Sequence, residues 1–323
     1  MLMAVVSISA MLVSFLLCLA FIPLLRREGI VCKDHNKRQS RVVPQMGGLP
    51  MILGLTSGLL VALGFAEFLR PVPDLSVVSL LAAVATILMV GFIGLIDDLL
   101  GMPQLIKAIS PAFAAIPLVV VRSGVTLMRV PLIGQVDFGL LYVFAFIPLG
   151  ITGAANAINL LGGFDGLEAG MGLVAMSCLA VIAAHVGSWT AFIILLAGIG
   201  ALLGFLVWNW YPARLFLGDI GALTIGAVIA SAAIIGDFEI AGLLVIAPHA
   251  IDLSFKAVHG FPSTGWQGEM GDDGRLHCPE RSPVGLCQFV LRVFDGLHER
   301  ALVLILLALE AAFGIGAILL YLA

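Results

Sequence analysis

Charge is what this chain of 323 residues has least of. Lysine and arginine number 16 and aspartate and glutamate 20, so 11% of residues are charged, against about 25% in a soluble domain. With 61% hydrophobic residues and a mean hydropathy of +1.15, an ordinary water-soluble fold is excluded. Length alone would suggest two soluble domains, but membrane helices share one bundle, and residues 1–323 read as a single transmembrane domain. A net charge of −4 offers no basic field for a nucleic-acid partner. Cysteine is sparse too: the five residues include no CxxC pair, and the separation of Cys278 from Cys287 is not usual zinc-ligand spacing. No GxxxxGK(S/T), GxGxxG or GxSxG motif occurs, which leaves a soluble nucleotide-fold mechanism without support.

Long apolar runs take the place of these features. A bilayer core needs about 20 apolar residues per helix, and lipid cannot satisfy free backbone groups, so such runs read as helices. They lie near 3–25, 48–69, 75–96, 105–121, 139–155, 167–186, 190–208, 219–236, 239–258 and 299–322. The fold class is therefore an all-α polytopic membrane protein with about ten transmembrane helices. Pro111 and Pro117 interrupt the fourth run and Pro148 the fifth. The first run lacks a basic leading segment and exceeds a signal-peptide core, so it reads as a retained helix. Val125 to Phe138 has a Gly-centred apolar pattern that predicts a short hairpin outside the membrane. Of the 16 basic residues, all but Arg70, Arg122 and Arg129 fall on one side of this arrangement. The positive-inside rule makes that side cytoplasmic, with long cytoplasmic loops and both termini outside.

The same side collects polar groups that apolar neighbours make costly. Asp97 and Asp98 end the third run, where two adjacent carboxylates call for a cation, a cationic side chain or a shifted pKa; Lys107 follows. NAINLLGGFDGLEAG, Asn156 to Gly170, supplies oxygen ligands and amides at Asn156, Asn159, Asp165 and Glu168, with glycines that permit close backbone approach. Such an oxygen-rich, cysteine-free set suits Mg²⁺ completed by phosphate and water. Trp208, Trp210 and Tyr211 read as interfacial belt residues. Asp219, between Gly218 and an apolar run, reads as a helix-N-terminal carboxylate, where a bound phosphate is also favoured. The loop from His259 to Arg300 offers Arg275, His277 and Arg281 as phosphate clamps, although its composition equally suits a solvent loop. Carboxylates, amides and cations on one membrane face are what phosphoryl transfer needs.

These segments resemble the polyprenyl-phosphate N-acetylhexosamine 1-phosphate transferases, glycosyltransferase family 4. The matching stretches are CKDHNK (Cys32 to Lys37), IDD (Ile96 to Asp98) with Lys107, NAINLLGGFDGLEAG, NWYPARLFLGD (Asn209 to Asp219) and CPERSP (Cys278 to Pro283), spread over almost the whole chain. The pattern is similar to the archaeal and eukaryotic branch, which uses UDP-N-acetylglucosamine and dolichyl phosphate. The resemblance implies that Asn159 and Asp219 hold Mg²⁺, with Mn²⁺ as an alternative, against the diphosphate. It implies that Lys107 contacts the diphosphate and that Asp97 or Asp98 assists attack by the lipid phosphate. Asp165 and Phe216 would border the uracil, and Lys37, Gln45, Asn156, His277 and Arg281 would complete the substrate site. A homodimer is compatible with the family. Departures exist: Gln45 stands where the eukaryotic pattern has glutamate, Asp165 where it has asparagine, and CPERSP is shorter and less basic than its eukaryotic counterpart.

The implied reaction gives dolichyl-diphosphate N-acetylglucosamine and UMP. One rival is a bacterial-type transferase using undecaprenyl phosphate or another UDP-sugar. A second is a nucleotide-sugar transporter, to which Asp252 and Glu310 within spans lend weight, although the sequence shows no repeat and both residues also fit as buried, hydrogen-bonded bundle groups.

Overall fold

The computed structural model describes residues 1–37, 41–68, 75–130, 134–262, 267–279 and 282–322. Among them, the apolar runs become α1 (Leu2–Arg27), α2 (Gly48–Phe68), α3 (Val77–Leu100), α6 (Gly139–Leu160), α7 (Leu167–Val186), α8 (Trp189–Asn209), α9 (Gly218–Ile235), α10 (Glu239–Val258) and α12 (Glu299–Leu322). These are nine helices long and apolar enough to cross a membrane.

The fourth expected span departs from a full helix. It divides into α4 (Gln104–Ala114) and α5 (Ile116–Val120), with Ala115 at the junction. Pro117, in the first turn of α5, cannot donate to the helical ladder and crowds the preceding turn, which accounts for the break; Pro111 is accommodated within α4. Together the two pieces cover Gln104–Val120, about 25 Å of helix at 1.5 Å per residue and somewhat short of a bilayer core. The expected hairpin at 125–138 forms: β3 (Leu127–Val130) pairs antiparallel with β4 (Gly134–Asp137). Two further hairpins are β1 (Val31–Asp34) with β2 (Arg41–Pro44), and β5 (Glu269–Met270) with β6 (Leu276–His277). A short amphipathic helix, α11 (Leu286–Val293), precedes α12.

Lipid gives helices no hydrophobic reason to associate, so close packing of small residues must do so. Gly54 and Gly58 of α2 let the backbone of α1 approach at Ala10 and Val6, and Gly200 and Gly204 of α8 do the same at Ser7 and Met11. The innermost helix is α9, on which every residue from Ile220 to Ile234 is buried. Many large apolar side chains on the outer helices face outward, among them Leu12, Leu60, Val78 and Leu319.

Chain direction puts β1, β2, α11, the start of α9 and the ends of α3, α6 and α8 at one end of the bundle. The termini and the β3–β4 hairpin lie at the other. At that second end Val125 donates its N–H to Asp237 (2.6 Å), Tyr142 is hydrogen-bonded to Glu239, and an apolar cavity of about 360 Å³ opens between α6, α9 and α10.

Candidate active site

Backbone pairing assembles the first part of the site. Phe216 donates its N–H to the Pro44 carbonyl (2.8 Å), while Gly47 and Gly48 donate to Phe216 and Leu217 (2.8 and 2.7 Å). This stitches the segment after β2 to the approach of α9 and brings Gln45 beside α3. Gly94 is needed at the next contact: a Cβ there would press on the Ile220 backbone and the Asp219 carbonyl. The end of α3 therefore meets the start of α9 directly.

The adjacent aspartates divide at this junction, because neighbouring residues on a helix point about 100° apart. Asp98 turns to α9: Oδ1 accepts the Asp219 N–H (2.9 Å), Oδ2 accepts the Ile220 N–H (3.1 Å), and Gln45 Nε2 donates to Oδ1 (3.2 Å). It is the carboxylate that satisfies the free N–H groups of the α9 N-terminus. Asp97 turns to α4: Oδ1 accepts the Met102 N–H (2.7 Å), and Oδ2 lies 2.5 Å from Lys107 Nζ. Lys107 also reaches Asp219 Oδ1 at 2.9 Å. The bridge Asp97–Lys107–Asp219 stays open to the surroundings, with Lys107 20% and Asp219 30% exposed. Gly101, in the left-handed region at φ 67°, ends α3 and frees the chain to return with Lys107.

Asn156 and Asn159 occupy the last two turns of α6. Asn156 Nδ2 donates to Thr152 O (2.9 Å) and Ala108 O (3.0 Å), bracing α6 against α4. Asn159 is half-buried and makes no side-chain hydrogen bond among the described residues.

A second cluster gathers around Lys37. Its ammonium meets Asp165 Oδ2 (2.9 Å), Asp34 Oδ2 (3.4 Å) and Glu299, the last as a short hydrogen bond. The Tyr211 ring lies 4.4 Å from Lys37 Nζ and 4.4 Å from the Arg300 guanidinium. Asp165 also accepts the Ala213 N–H (2.9 Å), and Glu299 accepts the Asp165 N–H (2.8 Å). Burial acts to depress the Lys37 pKa, but the Glu299 and Asp165 carboxylates outweigh it and hold the group above the usual lysine value. Tyr211, an interfacial-belt residue by its sequence position, packs between these two cations. Glu299 and Arg300 escape sequence reasoning; their position at the very start of the last span is the available signal.

Between these clusters lies a cavity of about 180 Å³ lined by Gln45, Asp165, Phe216, Gly218 and Asn209. A second, of about 500 Å³, is lined by Asn36, Lys37, Tyr211, His298, Glu299 and Arg300. Asn36 donates to Gly163 O (2.6 Å) and Glu168 accepts the Gly163 N–H (3.1 Å), so both sides of the glycine loop are gripped. His277 lines neither cavity. It sits on β6 with Nε2 3.0 Å from Asp273 Oδ2. Arg281 lies outside the described residues.

The open cluster fits a divalent cation of the magnesium type. Asp97 and Asp219 outnumber Lys107 there, and their carboxylates are hard oxygen donors, the ligand class such an ion takes. The Lys37 cluster is also rich in carboxylates, but Asp34, Asp165 and Glu299 are 2–3% exposed and filled by the lysine itself.

Residues 80–237 match the family described as glycosyl transferase family 4. The chain is 36% identical, over 92% of its length and 89% of the relative's, to a Sulfolobus acidocaldarius protein named "Putative UDP-N-acetylglucosamine--dolichyl-phosphate N-acetylglucosaminephosphotransferase". It is 32% identical, over 91% of its length and 89% of the relative's, to a Saccharolobus solfataricus protein of the same name. To a "Phospho-N-acetylmuramoyl-pentapeptide-transferase" of Halalkalibacterium halodurans it is 34% identical over 75% of its length and 74% of the relative's. The chain belongs to glycosyl transferase family 4, the polytopic membrane phosphoglycosyltransferases.

Proposed function

We propose that the protein transfers N-acetylglucosamine 1-phosphate from UDP-N-acetylglucosamine to dolichyl or another polyprenyl phosphate. An oxygen of the lipid phosphate attacks the β-phosphorus of the donor and forms the new P–O bond. The bond from that phosphorus to the bridging oxygen breaks, and UMP leaves with the electron pair. The product, dolichyl-diphosphate N-acetylglucosamine, would begin lipid-linked oligosaccharide synthesis for N-glycosylation. The observation that carries this reading is the open Asp97–Lys107–Asp219 bridge at the membrane end of three helices.

Lys107, which bridges Asp97 and Asp219, would meet diphosphate charge as it spreads in the transition state. Asp97, held by the Met102 N–H, is the better of the two adjacent aspartates to face the acceptor phosphate, because Asp98 is committed to α9. Asp219 and Asn159 would hold Mg²⁺, which supplies charge neutralisation on the donor's phosphate oxygens. The cavity of about 180 Å³, with Phe216 and Asp165, would receive the uracil, a planar ring with its own donors and acceptors. The site end gathers nearly all the basic residues, which supports a cytoplasmic active site and outside termini. The chain acts as one transmembrane unit over residues 1–323, and a homodimer would leave each site complete in its own chain.

Purified protein given labelled UDP-N-acetylglucosamine and dolichyl phosphate should form an organic-soluble product and release one UMP per product. Release of UMP that is indifferent to EDTA and to Asp219→Ala would overturn the metal assignment. The name of the Halalkalibacterium relative motivates a second reading, an undecaprenyl-phosphate acceptor with another UDP-sugar. Donor and acceptor competition in the same assay separates the two.

A further inference from the structure

Away from the bridge just described, a second buried ion pair ties together two pieces of the site end that are far apart in sequence. Asp252 and Lys256 lie one turn apart near the end of α10, 1% and 4% exposed, with Lys256 Nζ 2.8 Å from Asp252 Oδ2. Neither half of the pair stops at its partner. Lys256 Nζ donates to the Leu160 carbonyl, at the last residue of α6 and next to Asn159. Asp252 Oδ1 accepts the N–H of Leu286 at 2.7 Å, the first residue of α11. The approach needs Gly285, since a Cβ there would stand 2.7 Å from Asp252 Oδ1.

Each end of this link carries further chain. Leu160 closes α6, and the glycine loop with Asp165 follows it directly. On the other side, α11 holds the preceding loop: Gln288 Oε1 accepts the Val284 N–H (3.0 Å), Gln288 Nε2 donates to Gln267 O (2.7 Å), and Arg292 donates to Pro279 O (2.7 Å). Gln267, Pro279 and Val284 are therefore tied through α11 to Asp252. A helix C-terminus favours a nearby cation and a helix N-terminus a nearby anion, and this pair presents its ammonium to the first and its carboxylate to the second. If the pair served only to fill the bundle, an apolar couple would do so with less desolvation.

We infer that Lys256 and Asp252 are positioning residues that set the Asn159–Asp165 segment and the loop before α11 in register with each other. Neither touches the proposed substrate. Their effect on turnover passes through the Leu160 carbonyl and the α11 N-terminus, and in that respect the inference rests on the transferase reading.

The test uses the full-length protein in detergent or nanodiscs and has one arm that does not depend on activity. In hydrogen exchange, Lys256→Met should speed exchange in two separated stretches together, 156–166 and 278–288, and leave α1 and α2 unchanged. In the transferase assay the same variant should lose about 10- to 100-fold in kcat, the range seen when an outer partner of a ligand is removed, and need more Mg²⁺ for half-maximal rate. Lys256→Arg keeps a cation within reach and should recover most of both effects. Should Lys256→Met fail to fold, Asp252→Asn, which retains an acceptor for Leu286, should give the same paired exchange change at smaller size. Exchange that changes in one stretch only or in neither would overturn the inference. So would wild-type turnover in Lys256→Met, or Lys256→Arg as impaired as Lys256→Met. If the wild-type protein does not use UDP-N-acetylglucosamine, the transferase reading fails, while the exchange arm still decides the positioning role.

Discussion

Two lysines at the same end of this bundle are each surrounded by carboxylates, and they differ in how far the cluster around them is closed. Lys37 is enclosed by Asp34, Asp165, Glu299 and the Tyr211 ring, with the carboxylates almost wholly buried. Asp165 Oδ2 accepts the Ala213 N–H as well as meeting the lysine, and the second Glu299 oxygen accepts the Asp165 N–H. Lys107 spans Asp97 and Asp219 in a cleft where lysine and Asp219 remain partly exposed. The closed cluster welds the β1–β2 hairpin to the glycine loop and α12. The open one keeps charge that a phosphate or a divalent ion can exchange into. Similar composition thus gives one closed cluster and one open one, and the proposed function assigns scaffold to the first and site to the second.

The largest expected effect is on the open cluster. Lys107→Met should lower transferase turnover by about 10³-fold, the loss of one preorganised cation at developing charge. Its melting temperature should move less than that of the matching variant, because partly exposed pairs contribute little to stability. Lys37→Met should do the reverse. Three buried carboxylates lose their cation, at a cost of roughly 3–5 kcal/mol, read as a large fall in melting temperature in detergent. If the two variants behave alike in both assays, the division into scaffold and site fails.

A smaller effect sharpens the junction between the clusters. Gly94→Ala would push α3 off the Ile220 backbone, costing about 1–3 kcal/mol by overpacking and lowering turnover with it. Next is Asp98→Ala, which strips the α9 N-terminus of its acceptor for about 1 kcal/mol. Asp98→Asn should recover about half of that, because one oxygen still accepts. A direct role for Asp98 in the reaction would instead leave Asp98→Asn as inactive as Asp98→Ala.

The smallest effect concerns a pair that belongs to neither cluster. His249 and Glu310 lie within spans, 1% and 0% exposed, with His249 Nδ1 3.8 Å from Glu310 Oε2 and no hydrogen bond to any of their side-chain polar atoms among the described residues. Replacing both by leucine should be nearly neutral in a thermal melt, whereas replacing one leaves the other stranded and should cost more.

The spans were legible because lipid imposes one signal, a run of apolar residues, and little competes with it. The fourth run carries its interruption in the sequence as prolines, but hydropathy does not register the ladder bond that Pro117 cannot make, so the length of the span is less legible than its place. At the site, residue types were legible and roles less so. Asp97 and Asp98 are the same residue side by side, and only the 100° between them and the position of α9 decide which caps and which meets Lys107. Glu299 was missed because its partners, Lys37 and Asp165, are brought to it by tertiary packing with no local pattern. Asp252 and Glu310 look alike in the sequence as acids within spans; the structure gives Asp252 a lysine and a backbone N–H, while Glu310 lies 3.8 Å from His249 and makes no side-chain hydrogen bond among the described residues.

The most direct test is turnover of UDP-N-acetylglucosamine with dolichyl phosphate by the wild-type protein and by Lys107→Met and Lys37→Met at a temperature where all three remain folded. Wild type should give a lipid-linked product and equal UMP, Lys107→Met should lose nearly all activity, and folded Lys37→Met should remain well above Lys107→Met. Undiminished turnover in Lys107→Met would contradict the proposed site.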